Sequence, residues 1–163
     1  RLAREHMVTI RPRRGIYVPS LEYETELRIL EVRRELDVVA VRLAARRASD
    51  DQRSKMRSLA AQLEQIGSDF PTYAETIRET HQLLAAATKN TYLVESLLPL
   101  QNLSRRYWIS NVVDVEKEIA ASSGCHLRML RGAADMDVDA AEKAAYDLND
   151  YLVDYATRAA QMA

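Results

Sequence analysis

Residues 31–49 read EVRRELDVVAVRLAARRAS, and the spacing of their apolar side chains predicts a long amphipathic helix. The apolar positions recur at steps of three and four, with charged residues between them, and the pattern begins a little before this stretch: Leu27, Leu30, Val38, Val41 and Ala45. A period of this kind places one apolar stripe against a protein core. We therefore predict a helix over residues 21–48, with at most one break near its start.

The same period continues along the chain, punctuated by helix start and stop signals. Ser49 and two aspartates supply a cap signal for a second helix that stops at Gly67, and Pro71 opens a third helix that ends near Asn90. A fourth helix includes Pro99, which should kink or restart it. Two more follow over residues 112–134 and 138–162. The sequence thus predicts an all-α fold, an antiparallel bundle of six or seven helices.

Length and composition set further bounds. The chain has 163 residues, of which 47% are hydrophobic, and this is enough for one ordinary domain or for one domain and a fragment of a second. Its single cysteine, Cys125, excludes an intrachain disulfide and CxxC metal motifs, and we expect it to be a small buried residue. No apolar run reaches the roughly 20 residues that a membrane span requires. We therefore expect a cytoplasmic protein that makes no membrane contact.

A basic hairpin pattern precedes the helices. Residues 8–18 read VTIRPRRGIYV, two short β-type runs around a turn. Residues 1–20 hold five arginines against one glutamate, a net charge of +4 in a chain whose total is −1. Because guanidinium groups bind phosphates in a bidentate manner, this charge favours a polyanion partner. An ordinary solvated arginine turn remains the alternative, and charge alone does not decide between them.

Three stretches together carry a resemblance to a known family. Besides EVRRELDVVAVRLAARRAS and VTIRPRRGIYV, residues 80–90 read THQLLAAATKN, in which His81 is followed nine residues later by Asn90. In this order the stretches resemble the GntR transcription regulators, in the branch with the FCD effector-binding domain. The likeness covers nearly the whole chain. It implies that the predicted bundle is of the FCD type and that the hairpin is the wing of a winged helix-turn-helix.

The resemblance implies two functional parts. Residues 1–19 would be the remnant of the DNA-binding domain, namely the end of the recognition helix and the wing, and residues 20–163 the ligand-binding and dimerisation domain. Within the wing, Arg11, Arg13 and Arg14 would contact operator DNA. The helices that precede the wing in the family are missing here, so we expect the chain to be a fragment. The intact protein should bind its operator as a homodimer.

The resemblance also raises the question of a metal. In many FCD proteins an Asp and a His one helical turn apart bind a metal ion together with two further His. His81 and His126 match two of these positions, but Ile77 stands four residues before His81, and the third His aligns with Leu148, beside Asn149. We therefore predict no metal and no other cofactor. A weakly held divalent ion such as zinc at the two histidines is the less favoured alternative.

Without a metal, a ligand site can still form from the retained polar residues. Arg33, His81 and His126 would line a cavity and bind an anionic or polar small molecule through charge-assisted hydrogen bonds. The competing interpretation is that the two histidines are hydrogen-bonded residues of the bundle and that Arg33 forms an ion pair with an acid on its own helix.

Other polar and aromatic residues have simpler interpretations. Arg34, Arg42 and Arg46 are predicted to face solvent in ion pairs with acids three or four residues away. Asn90 is predicted to be a helix cap or stop rather than a ligand contact. Tyr107 and Trp108 would form either the wall of the cavity or ordinary core and interface packing.

We thus predict a ligand-responsive DNA-binding regulator, a repressor whose helical domain binds a small organic acid or related metabolite. A metal-independent sensor of acyl-CoA or another apolar ligand, as in the fatty-acid-responsive branch of the family, is the alternative within the same fold. A non-catalytic helical adaptor is the alternative of another class, and it should fill the cavity with side chains. Catalysis is not predicted, because no nucleophile elbow, phosphate loop or close carboxylate pair accompanies the histidines.

Overall fold

The computed structural model describes the backbone of residues 9–11 and 15–17, and both backbone and side chains of residues 21–162. In this part of the chain six helices form: α1 (Tyr23–Arg47), α2 (Asp50–Gln65), α3 (Phe70–Ala87), α4 (Thr91–Asn111), α5 (Val115–Ala134) and α6 (Val138–Met162). The most extensive packing joins α1 to α6, α2 to α5 and α5 to α6. The predicted all-α bundle is confirmed, with the lower of the two predicted helix numbers.

Two short strands lie before the bundle. β1 (Thr9–Arg11) and β2 (Gly15–Tyr17) pair antiparallel, with Ile10 opposite Ile16. The predicted DNA contacts fall outside the described side chains, because Arg11 is described by its backbone alone, and Arg13 and Arg14 are not described. The wing and the division of the chain at residue 19 therefore stay predictions.

Side-chain caps set the helix starts, largely as predicted. Ser49 begins α2 with a capping box, in which its hydroxyl accepts from the Gln52 backbone N–H while the Gln52 side chain accepts from the Ser49 backbone N–H. Asn90 is the N-cap of α4 and accepts from the Leu93 N–H at 3.3 Å. The prediction for residue 112 as the start of α5 is wrong by three residues, because Asp114 caps the helix by accepting from the Lys117 N–H.

Helix α4 contains Pro99 and runs through it without a break in helical assignment. Of the kink or restart predicted at this proline, the restart is therefore wrong, and one helix carries residues on both sides of it. Before it, Leu93 and Leu97 pack on an outer cluster with Ala40 of α1. After it, Tyr107 and Trp108 belong to the main core. Pro99 thus separates two regions of α4 with different packing partners.

The buried face of α1 combines apolar and charged residues. Leu30, Val41 and Ala44 lie in the core, as the spacing predicts. The roughly three turns between Leu30 and Val41 place Arg33 and Asp37 on the same face, with exposures of only 2% and 1%. Since charged groups are rarely buried without a partner, this part of α1 marks the polar centre of the bundle.

Helices α5 and α6 approach closely at Gly132. A Cβ atom at this position would lie 2.7 Å from the Ala141 backbone nitrogen and 2.9 Å from the Ala141 Cα. Such distances are well below van der Waals contact, so only glycine permits this crossing. Across residues 21–162, no helix combines the length and apolar character that crossing a membrane demands.

Candidate functional site

A narrow cavity lies inside the bundle, at the place where the predicted ligand residues meet. Arg33 of α1, His81 of α3 and His126 of α5 all line it, and each is at least 96% buried. The remaining wall comes from α3, α4, α5 and α6: Tyr73, Ala74, Ile77, Ser104, Arg105, Trp108, Ile109, Ser122 and Leu152. The centre of a water molecule can occupy about 30 Å³ of it. That is room for a few waters.

The two histidines form a hydrogen bond with each other in the cavity wall. His81 Nε2 lies 3.2 Å from His126 Nε2, and His126 Nδ1 lies 2.9 Å from the Ser122 carbonyl oxygen. A carbonyl only accepts, so His126 Nδ1 carries a proton and, in the neutral ring, its Nε2 accepts. His81 must then donate from Nε2, which leaves His81 Nδ1 as a bare acceptor. That nitrogen is buried and has no hydrogen-bond partner among residues 21–162.

Burial keeps both rings neutral. Desolvation lowers the pKa of His126 to about 4, although the hydrogen bond to the Ser122 carbonyl opposes the shift. The pKa of His81 is lowered well below its ordinary value, first by desolvation and then by the repulsion that a protonated His81 would meet from a protonated His126 and from Arg33. At neutral pH the pair therefore contributes hydrogen bonds to the cavity and no net charge.

The charge of Arg33 is balanced within the bundle. Its Nε and Nη2 donate to Asp37 Oδ2 at 3.1 and 3.0 Å. Gln101 Nε2 donates to Asp37 Oδ1 at 2.7 Å, and the Asn149 amide lies 3.5 Å from Asp37 Oδ2. Arg33 therefore pairs with an acid on its own helix, as one of the two interpretations predicts, and it also lines the cavity, while its part in ligand binding stays a prediction.

Glu26 forms a second buried polar contact of the site. Its carboxylate accepts a hydrogen bond from the Ser104 hydroxyl, and Ser104 lines the cavity. Desolvation raises the pKa of Glu26 to about 7, although the Ser104 hydrogen bond and the charge of Arg33 both lower it. Near neutral pH this group is therefore poised between its neutral and charged forms.

The raised pKa of Glu26 predicts a pH-dependent effect of Glu26→Gln. Because the folded pKa lies above the unfolded value of 4.5, the folded state retains a proton that the unfolded state releases, and stability falls as pH rises from about 4.5 to about 7. Gln does not ionise. We expect E26Q to match the parent protein near pH 5 and to be more stable by roughly 2–3 kcal/mol near pH 8. Urea unfolding at both pH values measures the difference.

The histidines titrate in the opposite sense, so the comparison must be made between the two proteins at each pH. Because the folded pKa values of His81 and His126 are lowered from 6.5, the unfolded state takes up protons more readily, and the free energy of unfolding decreases as pH falls below about 6.5. The parent protein and E26Q share this loss. It cancels in the difference. A difference between E26Q and the parent that stays constant from pH 5 to pH 8 would show that Glu26 is ionised throughout.

Arg105 of α4 belongs to the cavity wall and was not predicted from the sequence. Its Nη2 donates to the Asn102 side chain at 2.9 Å, while its Nη1 is buried and finds no hydrogen-bond partner within the described ranges. Burial and the positive charge of Arg78 lower the pKa of Arg105, but a guanidinium remains charged at neutral pH. The signal was its position three residues before Trp108, on the same face of one helix.

Asp37, Gln101 and Asn149 were also missed as members of the site. Each is buried, and together with Arg33 they form one hydrogen-bonded group. The sequence could have indicated them, because a polar residue that lies within the apolar stripe of an amphipathic helix must be buried; Asp37 on α1 is such a residue. Cys125 is buried in the main core, as predicted, and its sulfur accepts a hydrogen bond from Arg128.

Of Tyr107 and Trp108, one lines the cavity and the other packs in the core, so each of the two predicted positions is occupied by one of them. Trp108 lines the cavity, and its indole N–H donates to the Tyr151 hydroxyl at 2.8 Å. Its ring stacks with Phe70 and Tyr155. Tyr107 is buried in the core away from the cavity lining, with its hydroxyl 3.5 Å from the Ala156 carbonyl. The Trp108 indole and the Tyr73 ring are therefore the aromatic part of the cavity wall.

The outer arginines of α1 form ion pairs, although with different partners from those predicted. Arg34 pairs with Asp150 and Arg42 with Glu142, both on α6. The predicted partners three or four residues away on α1 are therefore wrong for these two residues. Arg46 is exposed, as expected. The pairs connect the two longest helices of the bundle at its surface.

The residues present do not fit a closed metal site. The two Nε2 atoms lie close enough to share an ion, but Ile77 occupies the wall one turn before His81 and offers no donor atom. The Asn149 amide is directed to Asp37. In residues 21–162, no group of three or more His, Cys, Asp or Glu side chains is arranged to hold a metal ion.

Comparison with known proteins adds a family match and three similar structures. The model of the FCD domain matches residues 28–150. The fold resembles E. coli McbR/YncC, with a TM-score of 0.75, 14% identity and coverage of 99% of this chain and 81% of that one. A search of curated protein sequences gave no match.

Two further structures share the fold. Streptococcus agalactiae GntR has a TM-score of 0.65 and 20% identity, over 94% of this chain and 77% of that one. A transcriptional regulator described as a GntR family member, from Pseudomonas syringae pv. tomato, has a TM-score of 0.64 and 22% identity, over 98% and 68%. At these identities the likeness shows a common fold.

Proposed function

The chain belongs to the FCD domain family, and we propose that it is the effector-binding and dimerisation part of a GntR-type transcriptional regulator of the cytoplasm. The observation that carries this proposal is the cavity inside the bundle, whose wall brings together Arg33, His81 and His126 from three different helices. Binding rather than catalysis is the proposed role. The GntR family description of the P. syringae structure supports it.

The chemistry of the wall favours a small organic acid as effector. Arg33 and Arg105 supply guanidinium groups, and the two neutral histidines supply hydrogen bonds, while Trp108 and Ile77 form apolar surface. Charge-assisted hydrogen bonds of this kind select carboxylates. An acyl-CoA would require a much longer apolar space than a cavity in which the centre of a water molecule can occupy only about 30 Å³. In a purely structural adaptor, guanidinium groups buried around an unfilled space would cost free energy without a compensating ligand.

DNA binding is assigned to the amino end of the chain. The proposal gives Arg11, Arg13 and Arg14 contacts to operator phosphates or the minor groove, in a homodimer that reads two half-sites. Their concentration of positive charge supports this role. The proposed regulator holds no resident metal, since the chain offers an isoleucine where the family pattern has a ligand.

Effector binding would control the operator through the bundle. A ligand that fits one packing of the helices better than another shifts the population toward that packing. In a dimer this changes the relation between the two subunits and so the spacing of their DNA-binding parts. We propose that the effector releases the protein from DNA, as in a repressor.

The proposal predicts that operator affinity depends on the effector. Native mass spectrometry of the purified full-length protein should show a dimer, and a small acid that co-purifies identifies the effector. The operator can be isolated by sequencing the genomic fragments that the protein retains. Fluorescence anisotropy should then show at least about a tenfold loss of operator affinity when the acid is added, the scale of ordinary allosteric coupling.

Replacing Arg11, Arg13 and Arg14 by Gln gives the matched control. This triple variant should lose operator affinity and reduce its salt dependence, because each lost phosphate contact removes about one released counterion. It should still bind the acid. An operator affinity that the co-purified acid leaves unchanged would remove the regulatory proposal, and a triple variant with full affinity would remove the assignment of the wing.

A further inference from the structure

The residues of the cavity wall contain two buried polar atoms that have no hydrogen-bond partner in the part of the chain that the structure describes. Seven such side-chain atoms occur in residues 21–162, and only those of His81 and Arg105 belong to residues that line the cavity. One is the bare Nδ1 acceptor of His81, and the other is the Nη1 donor of Arg105. A buried polar atom costs free energy until it is paired, so both are sites where a ligand atom would gain most.

The charge of Arg105 is not balanced locally. Arg33 is neutralised by Asp37, whereas Arg105 forms no ion pair with any residue of the described ranges. Glu75 acts on Arg105 electrostatically, but both of its carboxylate oxygens accept hydrogen bonds from Arg78. The cavity wall therefore carries one uncompensated positive charge, which a monoanion would neutralise.

The position of Arg105 also suits a first contact with an entering ligand. Most lining residues are buried, but Ala74 and Arg105 are partly exposed and Ile109 is 38% exposed. These three residues place the solvent side of the cavity between α3 and α4. His81, by contrast, is 4% exposed and lies at the inner side.

We infer that Arg105 is the residue that binds the anionic group of the effector, and that His81 Nδ1 accepts a hydrogen bond from a hydroxyl or N–H group of the same molecule. The inference rests on the proposed function, because it names the chemistry of that same cavity. It assigns the charge recognition to α4, while Arg33 is held by Asp37 as a support for the wall.

Four small probes test the inference by calorimetric titration of the 163-residue protein: acetate, glycolate, acetamide and glycolamide. The two carboxylates should bind at least about tenfold more tightly than their amides, because a hydrogen bond to a charged group is worth more than a neutral one. Glycolate should bind about three- to tenfold more tightly than acetate, since its hydroxyl can donate to His81. A wild-type protein that binds none of the four overturns the inference.

The variant Arg105→Gln separates this inference from the proposed function. R105Q should lose the preference for carboxylate over amide while it keeps the helical circular dichroism spectrum and the dimer of the parent. The control R131Q removes a guanidinium that pairs with Glu64 between α2 and α5, and it should bind like the parent. If R105Q retains the preference, Arg105 is not the anion site. Effector control of operator binding would then still stand.

Discussion

Replacing Asp37 with alanine should lower the free energy of unfolding by about 3–5 kcal/mol, because it leaves the Arg33 guanidinium buried without its partner. Arg33 donates two of its N–H groups to Asp37, and both side chains are almost fully excluded from water. The Gln101 amide loses its acceptor as well. Chemical denaturation monitored by circular dichroism measures this loss.

Two further variants make the result specific. Glu35→Ala removes an exposed carboxylate two residues away on the same helix, and it should change stability by no more than about 0.5 kcal/mol. The double variant R33M/D37L replaces the pair by apolar side chains of similar size and should recover at least about 2 kcal/mol of the loss. A D37A protein as stable as E35A would mean that water reaches Arg33.

The second large effect is expected at the crossing of α5 and α6. Gly132→Ala places a methyl group 2.7 Å from the Ala141 backbone nitrogen, and backbone on both helices must move to admit it. We expect a net loss of about 2–3 kcal/mol, even though alanine favours a helix over glycine by roughly 0.5–1 kcal/mol. Thermal and urea unfolding of the purified variant provide the measurement.

Gly124 on the same helix supplies the control for this prediction. A Cβ atom there would meet only the end of the Arg128 side chain, at 3.5 Å. Gly124→Ala should therefore stabilise the protein by roughly 0.5–1 kcal/mol through helix propensity alone. If both alanine variants gain stability, the close approach of the two helices is not maintained in solution.

Local signals in the sequence predicted most of the fold. The apolar period of α1, the capping box at Ser49 and the proline at position 71 act over a few residues, and the structure follows each of them. The effect of Pro99 was more difficult to predict. A proline removes one hydrogen bond of a helix, but packing on both sides of it can keep the helix continuous. Ion pairs between distant parts of the chain, such as Arg34 with Asp150, produce no periodic pattern in the sequence from which they could be predicted.

The candidate site was predictable only in part. The resemblance to the FCD family indicated Arg33, His81 and His126, and the structure places them around one cavity, while their role in binding stays a prediction. Arg105 lies within the run RRYW, and from the sequence such an arginine is normally predicted to lie at the surface. Only the packing of α4 against α1 and α3 shows that one of its guanidinium nitrogens is buried.

The proline inside α4 has a consequence for the mechanics of the cavity wall. Because Pro99 has no N–H, the Glu95 carbonyl receives no backbone donor one turn later, and the hydrogen-bond ladder has a gap at mid-length. The segment before the gap packs on α1 through Leu93 and Leu97, while the segment after it carries Arg105 and Trp108 and is itself hydrogen-bonded to α1 through Gln101 and Ser104. A tilt of the second segment at this softer joint must therefore stretch the hydrogen bonds to Asp37 and Glu26, so that movement of the cavity wall is coupled to the buried carboxylates of α1.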